Sequence, residues 1–438
     1  MQPASVRPSH EAKALDSRLR GKSFLPVAGM TGQGRGPKVN ACDPAGIAIG
    51  PFCININAMR AAPSPLDQPF SVYLDLVRFM AALAVVAMHA RQFGLVEAPG
   101  ADLLTLFGRE AVMAFFVLSG FVIAYTTDRR RPSARDYALA RAARIYSVAL
   151  PVLLLGFACA SLVRGHLMTG MDLHYQLAKP WYYIPFHLLF LGDLWSLAEV
   201  PPWLGPWWSL NYEVWYYVLF GVACYVRGLW RLPALSLVLA VMGIKLWLLL
   251  PVWLAGVALY RWQARHTLPC GLARLGWIAS LALLVIYEAS GIEETLRAAG
   301  RASWLGHAFA LGNADRFLAD YVFGLIVCLN FACARFARFD ALLRVAPPIR
   351  RLASYTLTLY LSHALVLIAW PALYPHDPAS MTDLLALGLA VAVATAALGL
   401  LSEQRRDVFL RLLARLAPAR RPARLAGVAP FKEKQDEV

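Results

Sequence analysis

Apolar residues recur along the chain in ten stretches: 73–90, 110–125, 145–163, 210–226, 232–244, 248–260, 275–287, 319–333, 355–373 and 384–401. Roughly 20 apolar residues suffice to cross a bilayer as a helix. The stretches therefore predict an all-α, polytopic membrane protein of about ten transmembrane helices. The pair flanking Lys245 is short, and one broken helix is the competing reading there. The apolar run at 181–195 is shorter still and carries Pro180 and Pro185 beside it or inside it, which predicts a re-entrant or interfacial segment.

Outside these stretches the pattern fades. Residues 1–70 are rich in Gly, Pro, Ser and Arg, show no sustained periodicity and read as a disordered basic segment. Gly32 to Gly36 looks superficially like a phosphate loop, but no strand precedes it and no helix clearly follows. No cleavable secretory signal appears at the start, and Met59, just ahead of the first span, is a candidate true start. The predicted organisation is 1–70 disordered, 71–403 membrane domain and 404–438 basic tail. In that tail seven arginines alternate with Leu and Phe, as in an amphipathic helix on an anionic leaflet.

Charge orients the bundle. Of 438 residues only 16% are charged and the mean hydropathy is +0.52, against roughly 25% charged in soluble domains. The net charge of +15 resides mostly in short connections and the tail, so no basic domain remains to grip a nucleic acid. With ten spans, stretches 127–145, 227–231, 261–274 and 335–351 share one side and hold sixteen arginines. The opposite connections hold seven Lys or Arg, with Lys245 an eighth at a tight turn. The arginine-rich side, with both termini, is thereby predicted to be cytoplasmic. Seven cysteines (42, 53, 159, 224, 270, 328, 333) form no CxxC pair, and no disulfide framework or metal site follows from them.

Several polar residues interrupt the apolar pattern where lipid makes them costly. The first span contains Asp75, Arg78 and His89. Arg78 and His89 are eleven residues apart, which at about 100° per residue puts them on nearly one helical stripe roughly 16 Å long. Such a stripe lines a cavity or binds a ligand, unless Arg78 merely snorkels and His89 is satisfied core. Arg141 and Arg144, at i and i+3, share a helical face; they serve either as a phosphate clamp or as ordinary positive-inside anchors. Glu213 opens an apolar helix beside Trp207, Trp208 and Trp215 to Tyr217, aromatics that suit an interfacial belt. It is placed to pair with a histidine or receive a proton. His363 falls near the middle of a span, three residues after Tyr360. Ser119-Gly120 reads as a small-residue helix contact, since a serine nucleophile needs a base within reach.

These stretches resemble the membrane-bound acyltransferase-3 family, bacterial proteins that modify cell-surface carbohydrates. The matches are Leu74-Asp-x-x-Arg78 with an R-x10-H ending in His89, Phe115-Phe-Val-Leu-Ser-Gly-Phe121, Arg141-x-x-Arg144-Ile-Tyr146, Trp208-Ser-Leu-x-x-Glu213 and Tyr360-Leu-x-His363, in the family's order. Two departures occur: Ser147 follows the arginine run where the family usually has proline soon after, and Val214 replaces the second of two glutamates. The resemblance implies transfer of an acyl group, often acetyl from acetyl-CoA, to a sugar hydroxyl of a polysaccharide, lipid-linked oligosaccharide or glycoside in the bacterial inner membrane. It implies no permanently bound cofactor, essential Arg78 and His89, and Arg141 and Arg144 on the acyl-CoA side. In that scheme His89 removes the acceptor's proton, Glu213 orients it, and Arg78 holds a phosphate or polarises the thioester carbonyl. Asp75, Ser119, Tyr360 and His363 are the supporting candidates. A transporter or flippase would also use intramembrane Arg, His and Glu, but the two halves show no obvious internal repeat.

Overall fold

The computed structural model describes residues 66–97, 107–162 and 174–416. Gln68 to Phe70, the end of the segment expected to be disordered (1–70), are helical with Phe70 buried, while its residues 1–65, Met59 among them, and the tail arginines Arg420, Arg421 and Arg424 lie outside the described residues. Every regular element among them is helical. The principal helices are α1 (Gln68–Gln92), α2 (Gly108–Arg130), α3 (Ala134–Leu162), α4 (Pro180–Leu188), α5 (Trp207–Tyr225), α6 (Arg231–Met242) and α7 (Ile244–Gln263). They continue as α8 (Cys270–Ala289), α9 (Ile292–Ala302), α10 (Phe317–Ala334), α11 (Ala346–Ala353), α12 (Thr356–Leu373), α13 (Met381–Leu401) and α14 (Arg406–Leu416).

All ten apolar stretches become helices, but only eight of those helices are long and apolar enough to cross a membrane. The two exceptions have different causes. In α5 the polar Ser209, Asn211 and Glu213 dilute a helix of 19 residues, whereas α6 has only 12. The two helices around Lys245 are separate: Gly243 between them has φ +75°, and a β-carbon there would crowd the Trp195 backbone. The chain breaks where only glycine fits. The segment after Pro180 forms a helix of nine residues, about 14 Å long and less than half the hydrocarbon thickness. It does not cross.

The connections sort into two ends. At one, His376 Nε2 pairs with the Leu95 carbonyl at 2.8 Å, Arg109 donates to the Asn313 carbonyl at 2.6 Å, and Trp195 Nε1 to the Ala240 carbonyl at 2.9 Å. At the other, Tyr260 donates to Asp128 at 2.6 Å, Arg274 to the Ala337 carbonyl at 3.0 Å, and Arg135 to the Ala414 carbonyl at 3.0 Å. This is the grouping that ten crossings require. The arginine-rich stretches meet each other, and the arginine-poor ones do the same.

The core is drawn together by close helix crossings and aromatic rings. A β-carbon at Gly120 of α2 would overlap the Trp253 carbonyl of α7, and one at Gly256 the Val117 carbonyl. The two backbones touch there, as Ser119-Gly120 predicted. Trp207, Tyr212 and Tyr216 are fully buried, and Phe116 packs on Trp208, Tyr212 and Tyr216. The aromatic run of α5 is thus mainly interior packing rather than an interfacial belt. Cys159, Cys224, Cys270, Cys328 and Cys333 are all unpaired.

Candidate active site

A cavity of about 380 Å³ opens at the arginine-rich end and reaches the middle of the bundle. Arg78 of α1, Arg141 and Arg144 of α3, and Arg406 at the start of α14 line it, together with Ser119, Glu213, Tyr217 and Tyr360. Helical periodicity explains the convergence. Residues three or four apart share a face, so Arg141 with Arg144, and Glu213 with Tyr217, project together from their helices.

Glu213, Glu403 and Asp407 share the cavity with the arginines, but none of them pairs directly with Arg141 or Arg144. Arg78 lies 3.4 Å from Asp75, one turn earlier on α1. Arg141 sits 5.8 Å from the centroid of the Tyr217 ring, and its buried Nε has no hydrogen-bond partner. No carboxylate among the described residues comes within ion-pairing distance of Arg141 or Arg144. A buried guanidinium normally has such a partner, so the cavity presents a ready place for an anion.

Deeper in, Glu213 accepts hydrogen bonds from Ser119 Oγ at 2.6 Å and from the Tyr217 hydroxyl. Trp253 Nε1 donates to Ser119 Oγ at 3.2 Å, so the α2–α7 crossing holds the serine against the carboxylate. Tyr360 shares a 2.6 Å hydrogen bond with Ser209 and packs against Phe115. Its ring centroid lies 6.3 Å from that of His363, the next turn of α12.

His363 in turn meets His89, with Nε2 3.1 Å from His89 Nδ1. Backbone carbonyls assign the tautomers. His363 Nδ1 faces the Leu359 carbonyl at 3.0 Å and His89 Nδ1 the Val85 carbonyl at 2.9 Å, so each Nδ1 carries its proton. His363 Nε2 is then a lone pair facing His89 Nδ1–H, and His89 Nε2 is left as an unprotonated acceptor. The expected pairing of His89 with Glu213 does not occur. His89 has His363 beside it, and Glu213 has Ser119 and Tyr217. The cause is axial: Met88 packs on Gly108 at the start of α2, so Ser119 and its partner Glu213, eleven residues along that helix, lie about 16 Å from the level of His89.

Four participants escaped sequence reading. Tyr217 was legible only as an aromatic, although it stands four residues after Glu213. Trp253 lies in the apolar middle of α7, where no polar neighbour marks it. Glu403, together with Arg406, lines the cavity from beyond the last long apolar helix, where the chain reads as domain boundary and tail. At the opposite end Asp193, accepting from Asn211 at 2.6 Å and 3.8 Å from Lys245, forms a separate buried cluster. Burial pushes the Asp193 carboxyl up to about 6, with Asn211 and Lys245 opposing the rise.

A multi-pass helical bundle with an arginine-lined cavity at a Ser-Glu-Tyr cluster, and a histidine pair elsewhere in its interior, defines a polytopic membrane protein with polar groups gathered inside it. The acyltransferase-domain family model (acyltransferase 3) matches residues 71–402, and the chain belongs to that family. A stretch of 132 residues is 32% identical to the exopolysaccharide production protein ExoZ of Rhizobium meliloti (strain 1021), covering 30% of this chain and 38% of that protein. No solved structure matches.

Proposed function

We propose that the protein transfers an acyl group, acetyl in the simplest case, from acyl-CoA to a hydroxyl of a cell-surface carbohydrate. The observation that carries this reading is the cavity in which Arg141 and Arg144, lacking carboxylate partners, stand with Arg78 beside the Ser119–Glu213–Tyr217 cluster. Acyl-CoA combines the two features such a site matches: phosphates for the arginines and an uncharged arm that carries the thioester inward past the hydrogen-bonded cluster toward His89. The carbohydrate acceptor draws support from the likeness to an exopolysaccharide production protein.

In this scheme the arginine-rich end faces the cytoplasm, where acyl-CoA is made, and both termini lie on that side. The donor enters between α3, α12 and the start of α14. Arg141 and Arg144 hold phosphate, and Arg78 stands where the thioester arm passes inward. His89 lies about 16 Å farther along α1, past Tyr360 and His363. Its Nε2 accepts the proton of the acceptor hydroxyl as that oxygen bonds to the thioester carbonyl carbon. The C–S bond breaks, and the CoA thiolate leaves and takes up a proton. His363 acts as a positioning residue, holding the His89 ring through Nδ1.

The test is carried out on detergent-purified full-length protein with acetyl-CoA. Release of free CoA thiol, stimulated by a carbohydrate acceptor and accompanied by O-acetylation of that acceptor, is the expected result. A transporter would release no thiol, and that outcome would replace this reading.

A further inference from the structure

We propose that the short turn 403–405 and the first residues of α14 form the mouth of the donor cavity, and that Arg406 binds the 3′-phosphate at the nucleotide end of acyl-CoA; this rests on the acyl-CoA reading of the cavity. Glu403, Gln404, Arg406 and Asp407 all line the same cavity as Arg141 and Arg144. They follow the last long apolar helix, yet they are fixed to the domain rather than trailing from it. The Glu403 carboxylate accepts from the Thr358 backbone N–H at 3.1 Å and from its hydroxyl at 2.9 Å. It thereby caps the start of α12, the helix that carries Tyr360 and His363. Gln404 donates to the Ser354 carbonyl at 3.2 Å and lies 3.1 Å from the Ser354 hydroxyl. Farther on, Arg135 of α3 donates to the Ala414 carbonyl at 3.0 Å. The turn is therefore pinned to α12 and α14 to α3, two of the helices that line the cavity.

The order of groups along the cavity points to the ligand atom concerned. Ser119 stands eleven residues, about 16 Å, in from the arginine-rich end of α2, Arg141 seven residues, about 10 Å, in from the same end of α3, and Arg406 is exposed at the rim. Acyl-CoA presents its groups in a matching order: thioester, pantetheine arm, pyrophosphate, then a ribose bearing the 3′-phosphate. With the thioester carried inward past the Ser119–Glu213 cluster, the pyrophosphate falls to the half-buried arginines and the 3′-phosphate to the rim. Arg406 has no hydrogen bond or ion pair to another described residue, so its planar fork of donors is available to a phosphate. Asp407 beside it disfavours an anion at the outermost edge, which keeps the phosphate on the Arg406 side of the mouth.

The experiment compares CoA with 3′-dephospho-CoA on the full-length purified protein, measuring binding by titration and KM with the acetylated donors. Wild type is expected to bind 3′-dephospho-CoA ~10–100-fold more weakly than CoA. Arg406→Ala should weaken CoA by that same factor while leaving the affinity for 3′-dephospho-CoA where it was. KM for acetyl-CoA should rise in parallel, and Arg406→Lys should recover part of the loss. An Arg406→Ala protein that weakens both ligands equally, or neither, would overturn the assignment to the 3′-phosphate while leaving the acyl-CoA reading in place. A wild-type protein that binds neither ligand would instead remove the acyl-CoA reading, and this inference with it.

Discussion

A neutral His89 whose Nδ1–H faces the Val85 carbonyl and His363 Nε2 offers its other nitrogen to an acceptor hydroxyl. His89→Ala should then lower turnover by about 10²–10⁴-fold while CoA still stabilises the protein in a thermal-shift assay. A merely structural histidine would behave in the opposite way, costing about 1–3 kcal/mol of stability and leaving the surviving protein active. The double change Arg141→Ala with Arg144→Ala should abolish CoA stabilisation and act more on KM than on the chemical step, since a phosphate clamp works mainly in ground-state binding. Asp193 supplies a pH signature independent of catalysis. Its folded pKa of about 6 exceeds the value near 3.9 of an unfolded aspartate. The folded state therefore holds the extra proton, and the contribution is present at low pH and lost as pH rises through about 6. Thermal midpoints of wild type minus Asp193→Asn should fall between about pH 4.5 and 7, and a flat difference would contradict the assignment. Sequence spacing revealed the Arg78–His89 stripe and the Arg141–Arg144 face because each lies within one helix. It could not reveal that Glu213 meets Ser119, 94 positions away, since that pairing depends on how two helices cross.

Among the elements, the contact of α2 with α7 determines whether the Ser119–Glu213 pair exists. Gly256→Ala places a methyl group against the Val117 carbonyl. Overpacking of this kind costs about 1–3 kcal/mol. It should lower the thermal midpoint in detergent and, by moving Trp253 from Ser119, lower turnover in the protein that remains folded. A variant with wild-type stability and turnover would show that the crossing is not tight. The tail divides at α14. Removing everything after Leu416 should leave CoA binding intact, whereas removing everything after Ser402 should eliminate it along with the Glu403 cap on α12. The apolar pattern located these helices well, because their sequences are interrupted by glycine, proline and arginine near the observed ends. It missed the place of residues 403–407, where nothing in the local sequence distinguishes a cavity rim from a surface tail.

For the whole molecule, the two-ended sorting of connections agrees with the ten-crossing parity inferred from arginine asymmetry, even though α5 and α6 are poor spans by length or apolarity. We expect externally applied thiol reagent to label a cysteine placed at residue 305 and to spare one at residue 135; the reverse would invert the bundle and put the donor cavity on the wrong side. What the sequence made legible at this scale was the class of protein, set by hydropathy, and the sorting of connections into an arginine-rich and an arginine-poor end. The relation between the arginine cavity and the histidine pair was not legible, because it depends on where α2, α5 and α12 lie along the length of α1. The account's central claim is that one bundle joins these two places into an acyl-transfer path. Its most direct test follows label from the acetyl group of acetyl-CoA into the carbohydrate acceptor, using purified wild type and His89→Ala side by side. The account predicts alkali-labile label on the carbohydrate with wild type, and almost none with a His89→Ala protein that still binds CoA. Full transfer by a well-folded His89→Ala protein, or CoA binding by wild type without any transfer to carbohydrate, would contradict it.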